Sequence, residues 1–280
     1  MGGGGSPRKA GDLWNLCLRR GFSAGDFLTP EERVDWEADL EKLRREHRFF
    51  YTFTGGVAGA ERTVAVLSEE ELPEEDVVDR FPEDGESLNG NKSGIAFLFL
   101  RSGSGAPLDH RAVLGSILGL GLERRAVGDI FPYQNGTGVA VKDRLVPFLL
   151  QNLQKVGRER VEVSVFFPEK NFTIEKKTES LSVLVASLRL DCLCASILHI
   201  SREEAGAYIA EGYAQIDHRV CKRPDRKVTA ENCCRYGARG VFCSQTVSVP
   251  PKADGWRWRY YTMYNHSTRK RCFRCFRPAN

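Results

Sequence analysis

Residues 187–220 read SLRLDCLCASILHISREEAGAYIAEGYAQIDHRV, and they specify a small folded unit. Apolar residues recur at helical spacing up to Ile200, which predicts a first helix. Ser201, with Glu204 three residues later, forms a capping box, so a second helix is expected to start there and to end at Gly212. YAQI then predicts a strand, DH a turn and RVC the returning strand. We therefore predict two short helices packed on a small hairpin.

The charge of the chain is unevenly distributed around this unit. Residues 180–280 contain 17 Lys and Arg against 8 Asp and Glu, a net charge of +9, whereas residues 1–179 contain 24 against 29, a net charge of −5. A basic C-terminal third indicates a polyanionic partner, and nucleic acid is the commonest one. The alternative is that this charge only solvates the surface.

Several cations are candidates to contact RNA. Guanidinium groups suit phosphate oxygens, and each neutralised phosphate releases a counterion. The candidates are Arg189, Arg202, Arg219, Lys222, Arg223, Arg239 and the turn residue His218, with Arg124, Arg125 and Lys142 in the middle of the chain. We expect the C-terminal guanidinium groups to be free. Guanidinium groups that are tucked inward, or locked onto neighbouring carboxylates, would refute this phosphate-binding role.

Residues 88–168 predict an α-β plait. IAFLFL from Ile95 is a buried strand, Asp109 caps a helix, and DIFPY and GVAVK are strands around an Asn-Gly turn. Asp143 caps a second helix that is expected to end at Gly157, and VEVSVFF is the last strand. The order β-α-β-β-α-β is that of the ferredoxin-like plait.

RNA-recognition domains share this plait topology, and their base-stacking aromatic residues lie on the third strand. Here the third strand is GVAVK, which has no aromatic residue. The topology alone therefore does not indicate base stacking. RNA contacts in this block are expected from residues 123–125 (ERR) and from Lys142.

The N-terminal part is predicted to be a flexible tail over residues 1–28 and a small α/β domain over residues 29–75. The domain combines a helix from Glu31 to His47 with the strands FFYTF and TVAVL. The connection GGVAGAER lacks the Lys-Ser/Thr of a phosphate-binding loop, so we interpret it as a hairpin loop. The whole chain is thus predicted to be α+β: this domain, the plait and an αα-β unit over residues 180–249.

Composition argues against several other classes of protein. No apolar run reaches the roughly 18 residues of a membrane span, and the start of the chain lacks an apolar signal, so a soluble, monomeric cytoplasmic protein is expected. Eight of the nine cysteines follow residue 190. The Cys272-x-x-Cys275 pair has no second pair at zinc-site spacing, so neither metal nor cofactor is expected.

Two regions resemble known families. Residues 187–242 resemble the RNA-binding domain named after ribosomal small-subunit protein four, called S-four-like below. The features that match it are RLD (189–191), Ser201-Arg202, Ala205, Ile209, Gly212, IDHRV (216–220) and GARGVF (237–242). GGVAGAER (55–62) and LDHRAVLGSILGLGLERRAVGDI (108–130) are similar to the YlmH family of bacterial proteins. The combined resemblance covers residues 29–249.

The YlmH resemblance implies a function. It implies a non-catalytic protein that binds tRNA and rRNA on a large ribosomal subunit carrying an obstructed peptidyl-tRNA, in ribosome-associated quality control. RLD also occurs in pseudouridine synthases, which would make Asp191 catalytic in an RNA-modifying enzyme. No second acidic motif accompanies it, so a structural Asp191 is expected. A third hypothesis is an interaction protein in cell division.

Residues 250–280 are a basic extension that departs from the family pattern. Its aromatic residues alternate with arginines, as in WRWRYY, which would suit stacking on RNA. It is also compatible with a disordered extension or an altered reading frame, and these two interpretations are preferred here.

Overall fold

The computed structural model divides the chain into two compact units, Met1–Glu175 and Lys176–Asn280. The residues it describes are 9–71, 92–103, 105–169, 171–175, 178–229, 232, 234–236, 241–246 and 256–264. Residues 178–184, 241–246 and 256–264 are described by their backbone alone. The fold combines helices with antiparallel sheets, in agreement with the predicted α+β class.

The first unit begins with two helices and a three-stranded antiparallel sheet. The elements are α1 (Ala10–Arg20), β1 (Phe22–Ala24), α2 (Pro30–Arg44), β2 (Phe50–Thr54) and β3 (Val64–Ser68). The strands lie in the order β1-β3-β2. Leu13, Leu40 and Leu67 are among the buried residues that join the helices to the sheet.

Helix α1 corrects the prediction of a flexible tail over residues 1–28. Leu13, Trp14 and Cys17 recur at helical spacing and are buried, so this segment has an apolar face that belongs to the core. Gly21 ends the helix in a left-handed conformation, with φ of 78°. The glycine-rich start of the chain obscured this short pattern, and the prediction is wrong from residue 10 onward.

Helix α2 starts as the sequence predicts. The Thr29 side chain accepts a hydrogen bond from the Glu32 N–H at 3.2 Å, and the Glu32 carboxylate accepts one from the Thr29 N–H at 2.7 Å. Pro30 occupies the first turn, where its missing N–H is no loss. The helix ends at Arg44, three residues before the predicted end at His47.

The remainder of the first unit contains the predicted element order β-α-β-β-α-β. Its elements are β4 (Ile95–Ser102), α3 (His110–Gly119), β5 (Val127–Tyr133), β6 (Gly136–Lys142), α4 (Val146–Asn152), β7 (Lys155–Val156) and β8 (Glu159–Phe166). The sheet order is β5-β6-β4-β8-β7, with every pairing antiparallel. Leu98, Ile117 and Leu149 belong to the core between this sheet and its two helices.

The second helix of this block differs from its prediction. Asp143 opens a 3₁₀ turn rather than capping a long α-helix, and α4 ends at Asn152. Leu153 is buried, and the chain then forms β7, which pairs with β8 through a turn containing Gly157 at φ of 59°. Gly157 therefore serves a hairpin and not a helix end. The sequence did not distinguish the two, because a left-handed glycine suits both.

The second unit is a six-stranded antiparallel sheet with two helices. Its elements are β9 (Thr178–Val185), α5 (Leu190–Leu198), α6 (Arg202–Ala210), β10 (Ala214–Ile216), β11 (Arg219–Val220), β12 (Cys234–Tyr236), β13 (Val241–Thr246) and β14 (Trp256–Tyr264). The order is β11-β10-β12-β13-β14-β9. Leu193, Ile209 and Tyr236 are among the residues of its buried core.

The local predictions for residues 187–220 are confirmed. The side chain of Ser201 accepts a hydrogen bond from the Glu204 N–H, and the Glu204 carboxylate accepts one from the Ser201 N–H. Asp217 and His218 form the turn between β10 and β11, both with positive φ, 50° and 63°. Two consecutive residues of this kind characterise the tight turns that suit the twist of a hairpin.

Strand β14 corrects the interpretation of residues 250–280 as a disordered extension over residues 256–264, while the altered reading frame stays an interpretation. Trp256 to Met263 pairs with residues 178–185 of β9, and the other edge of the same strand pairs with β13. Residues 256–264 therefore form an internal strand rather than a disordered extension. Cys272 and Cys275 lie outside the described residues.

Candidate nucleic-acid interface

The start of α5 is held by a loop from later in the chain. The N–H groups of Leu190 and Asp191 donate to the carbonyls of Arg226 and Pro224 at 2.9 and 3.0 Å, and the Val228 N–H donates to the Leu188 carbonyl at 2.8 Å. These loop carbonyls satisfy amides that a helix start leaves without an intrahelical partner. The loop therefore lies directly beside the beginning of the helix.

Asp191 is the centre of a compact ion-pair cluster at this point. Arg189 donates to both carboxylate oxygens, from Nε at 3.0 Å and from Nη2 at 2.9 Å. Arg202, from the start of α6, donates from Nη2 at 2.9 Å. The Cys192 N–H donates to the same carboxylate at 2.8 Å. Asp191 is only 6% exposed, so it joins the starts of the two helices from within.

The electrostatics of this cluster favour a permanently ionised carboxylate. Burial would raise the pKa of Asp191, but the hydrogen bonds from Arg189, Arg202 and the Cys192 N–H outweigh it and lower the pKa to about 2. The same pairing raises the pKa of both arginines. The arrangement agrees with the predicted structural role of Asp191.

The expectation of free guanidinium groups is wrong for three of the candidates. Arg189 and Arg202 are paired with Asp191, and Arg223 is paired with Asp225 at 3.0 Å. The pairs differ in how much of the cation they cover, since 40% of the Arg189 side chain, 60% of Arg202 and 73% of Arg223 remain exposed. A guanidinium has five N–H donors, so these contacts leave an outer edge of each group facing solvent.

The segment from Arg219 to Lys227 supplies further cations, and we call it the basic segment. Arg219 and Lys222, two of the predicted candidates for RNA contact, are exposed. Arg226 and Lys227 are also exposed and were missed by the sequence analysis. The run KRPDRK, with four cations in six residues, was the signal that would have found them.

His218 and Arg239 are the other two candidates of the second unit. His218 is a half-buried residue of the β10–β11 turn, and its positive φ helps to form that turn. Arg239 lies outside the described residues. The structure thus brings Arg189 and Arg202 together through Asp191, with the basic segment joined to them by the loop carbonyls.

The candidates in the first unit are turned towards the protein itself. Arg124 donates to the carbonyls of Val127 and Gly128, and burial, followed by repulsion from Arg62, lowers the pKa of Arg124 to about 10. Arg125 is paired with Glu123 and lies 3.5 Å from the Asp26 carboxylate. Both arginines therefore brace the chain that leads into β5.

Lys142 is a clearer correction. Its side chain is almost completely buried, and Nζ donates to the carbonyls of Gly25 and Ser93 at 3.0 Å each. Burial lowers the pKa of Lys142 to about 8, against a smaller opposing effect of Asp143. Lys142 is a structural tie within the first unit and is not placed to contact RNA.

The central strands of the plait sheet, β6 and β4 up to Leu100, are buried on both faces. Ala96, Leu98 and Leu100 of β4 face the helices, while Ile95, Phe97 and Phe99 face a second buried cluster that contains Phe27, Val64 and Val66 of the N-terminal sheet region. Phe166 and Phe172 close the same cluster. The surface on which RNA-recognition domains stack bases is therefore interior here.

The glycine-rich loop 55–62 is also committed to internal contacts. It joins β2 to β3, as predicted for a hairpin loop. The N–H groups of Glu61 and Arg62 donate to the Asp129 carboxylate, and the Arg62 guanidinium donates to the Phe27 carbonyl at 3.0 Å. A carboxylate of the chain thus occupies the amides that a phosphate would need.

Among the residues that the structure describes, neither a metal-binding cluster nor a membrane-spanning helix is present. Within them, no cluster of three or more His, Cys, Asp or Glu side chains is arranged to hold a metal ion. Nor does any helix there combine the length and apolar character needed to cross a membrane. The cysteines described, at positions 17, 192, 194, 221 and 234, are free thiols.

A family model and a curated relative agree with the YlmH resemblance. Residues 105–169 match a family model described as “Putative RNA-binding domain in YlmH”. A Bacillus subtilis (strain 168) protein named “Ribosome-associated protein quality control protein P2” is 26% identical over 238 residues, which cover 83% of this chain and 84% of the relative. The solved structure titled “Cell division protein ylmH from Streptococcus pneumoniae” aligns with a TM-score of 0.41 and 16% identity, over 56% of this chain and 86% of that one.

The chain therefore contains a YlmH-family RNA-binding domain and is homologous to the Bacillus protein. The matched range, 105–169, includes the whole of segment 108–130, one of the two segments on which the YlmH resemblance was based. The S-four-like identity of residues 187–242 stays a prediction.

Proposed function

We propose that this protein binds tRNA and rRNA on the large ribosomal subunit, in the cytoplasm, as a non-catalytic component of ribosome-associated quality control. The observation that carries the proposal is the exposed basic segment beside Arg189 and Arg202, both braced by Asp191. The family match and the name of the Bacillus relative support it.

Phosphate binding suits the geometry of this basic surface. Seven cations belong to it, and most of them expose a large part of the side chain: Arg189, Arg202, Arg219, Lys222, Arg223, Arg226 and Lys227. Each that neutralises a phosphate releases a counterion, so affinity should fall with salt by a slope of nearly one per contact. The exposed Arg223–Asp225 pair is weak in water, so a phosphate can compete with Asp225 for the guanidinium.

We further propose that α5, α6 and the β10–β11 hairpin form an S-four-like RNA-binding module. The proposal rests on the residues of the resemblance, and the local structure supports it. Ser201 and Glu204 cap α6, while the Arg189-Leu190-Asp191 sequence opens α5 and supplies the ion-pair cluster. In this arrangement Asp191 is a positioning residue for the two arginines.

A binding role fits Asp191 better than the alternative role in a pseudouridine synthase. The carboxylate is buried, and two guanidinium groups and one backbone N–H already occupy it. Incubation of the protein with ribosomal RNA, followed by a pseudouridine assay, tests this directly. Product that disappears in Asp191→Asn would overturn the binding-only proposal, and no product is expected.

Co-sedimentation with ribosomes tests the proposed function as a whole. Lysate from cells with stalled translation, separated on a sucrose gradient, should place the protein with large-subunit particles. Lys222→Ala/Arg226→Ala should shift it towards the top of the gradient, whereas Arg19→Ala/Lys42→Ala, which removes two exposed cations from the first unit, should not. A native protein that stays at the top, or an equal shift by both double variants, would contradict the proposal.

A further inference from the structure

Tyr213 is a large aromatic side chain left on the surface of the second unit. It follows Gly212, at the end of α6, and it is 43% exposed. The next strand alternates, with Ala214 and Ile216 buried in the core. Because side chains alternate along a strand, Tyr213 lies on the opposite, outward face of the β10–β11 hairpin.

The returning strand places a cation on the same face. The Cys221 N–H donates to the Ala214 carbonyl at 2.9 Å, which extends the ladder of β10 and β11 and sets Lys222 opposite Tyr213. Lys222 is exposed, and so is Val220, at 49%. Tyrosine, valine and lysine thus form one exposed surface beside the basic segment.

The tight packing at Gly212 fixes this surface further. A Cβ on Gly212 would lie 3.3 Å from Cγ1 of Val220 and 3.5 Å from Cε of Lys222, so both side chains lie against the glycine. Gly212 also has φ of 89°, a conformation that favours glycine. The stem of Lys222 is therefore next to the backbone that carries Tyr213.

Tyr208 supports the ring of Tyr213 from the interior. The two ring centroids are 5.0 Å apart at an angle of 33°, and the Tyr213 N–H donates to the Tyr208 carbonyl at 3.2 Å. Tyr208 is half-buried against the core of the unit, and burial raises its pKa to about 12. Tyr213 is thus held by a buried neighbour while much of its own surface faces solvent.

We propose that Tyr213 stacks on an unpaired base of the bound RNA, while Lys222 neutralises a phosphate next to that base. This inference rests on the proposed function and adds a preference for RNA with an unpaired nucleotide. Aromatic rings stack on any base, and flanking cations provide the backbone attraction. Complementary charge favours a polyanion here, because the basic segment has five cations and a single acidic residue, Asp225, which Arg223 already pairs.

The test uses two RNA hairpins that differ only in one bulged nucleotide, 2-aminopurine, whose fluorescence falls when it stacks. The native chain should bind the bulged hairpin more tightly and quench the fluorophore. Tyr213→Leu should lower affinity for the bulged hairpin by about tenfold and leave the paired hairpin almost unchanged. Tyr213→Phe keeps the ring and should bind like the native chain, as should Leu18→Ala, a control at an exposed apolar residue of the first unit.

The outcomes separate this inference from the proposed function. Salt-dependent binding of both hairpins with no quenching, or an equal loss for both hairpins in Tyr213→Leu, would overturn the stacking role and leave RNA binding standing. Failure of the native chain to bind either hairpin or a large-subunit particle would overturn both. Where Tyr213→Leu is poorly folded, the absence of quenching by the native chain would still overturn the stacking role.

Discussion

The candidate RNA-binding cations of the first unit and those of the second unit have opposite surroundings. In the first unit, Arg124 and Lys142 donate hydrogen bonds to carbonyls of the chain itself, and Arg125 pairs with carboxylates. Lys142 is almost entirely buried. In the second unit, the basic segment keeps its side chains exposed, and the Asp191 cluster leaves outer edges of two arginines in solvent. The number of cations in a region is therefore a poor guide to its RNA-binding surface.

The same contrast concerns the sheets. The plait, most of which matches the YlmH RNA-binding family model, has central strands that are buried on both faces, and Phe97 and Phe99 of β4 lie inside a cluster of aromatic rings. The β10–β11 hairpin of the second unit instead exposes Tyr213 beside Lys222. If the plait contacts RNA, the contact has to come from outside β4 and β6, because both faces of these central strands are covered.

The largest expected effect concerns Lys142 and tests its role as a buried structural tie. Its pKa of about 8 lies below the ordinary value of 10.5, so between these pH values the unfolded chain binds more protons and the stability of the fold rises with pH. Relative to Lys142→Met, the native chain should gain about 3 kcal/mol in free energy of unfolding over that window. Urea denaturation at pH 8, 9 and 10 measures the gain.

Lys155→Met is the matched control for this experiment, since Lys155 is exposed on β7. It should show the same pH dependence as the native chain. If the free energy of unfolding depended on pH in the same way for Lys142→Met and the native chain, Lys142 would be solvated. The contrast between the cations of the first and second units would then be lost.

A second prediction concerns the Asp191 cluster. The folded pKa of about 2 lies below the ordinary 3.8, so the cluster stabilises the fold above about pH 4, and that contribution is lost as pH falls towards 2. Asp191→Asn should therefore lower the free energy of unfolding by about 2 kcal/mol at pH 7. The difference from the native chain should shrink between pH 4 and pH 2, as measured by denaturant titration.

Asp225→Asn is the control for the cluster, because it removes an exposed carboxylate that also pairs with an arginine. Its effect on stability should be much smaller at every pH, as exposed pairs contribute little. Equal effects of the two substitutions would show that burial does not distinguish Asp191.

The smallest expected effect is on RNA binding by the first unit. Arg124→Gln/Arg125→Gln removes two cations, yet both are already engaged by internal partners. We expect its affinity for tRNA, measured by filter binding, to stay within about twofold of the native value. A loss as large as that of Lys222→Ala/Arg226→Ala would show that the plait also binds RNA through these residues.

The predictions from sequence succeeded where signals were local. The start of the helix near Glu31, the capping box at Ser201, the turn after Ile216 and the order of elements in the plait all depend on residues close in the chain. Strand β14 was missed because its pairing with β9 joins segments about 80 residues apart, which no local pattern reports.

The candidate site was predicted in outline and missed in its contacts. The charge of residues 180–280 indicated the right unit, but the sequence did not show that Asp191 would receive both Arg189 and Arg202, since Arg202 reaches it from another helix. The burial of Lys142 was hidden for a similar reason. A lysine at a strand end normally reaches solvent, and here carbonyls from two distant segments, at Gly25 and Ser93, surround its amine.

The salt dependence of RNA affinity tests the central claim most directly. Affinity for a tRNA or for purified large-subunit particles would be measured between 50 and 300 mM salt, about the range in which counterion release dominates. We predict that Lys222→Ala/Arg226→Ala lowers the slope of log K against log salt by about two, while Arg19→Ala/Lys42→Ala leaves it unchanged. An unaltered slope in the first variant would contradict the claim that the exposed cations of the second unit hold the RNA.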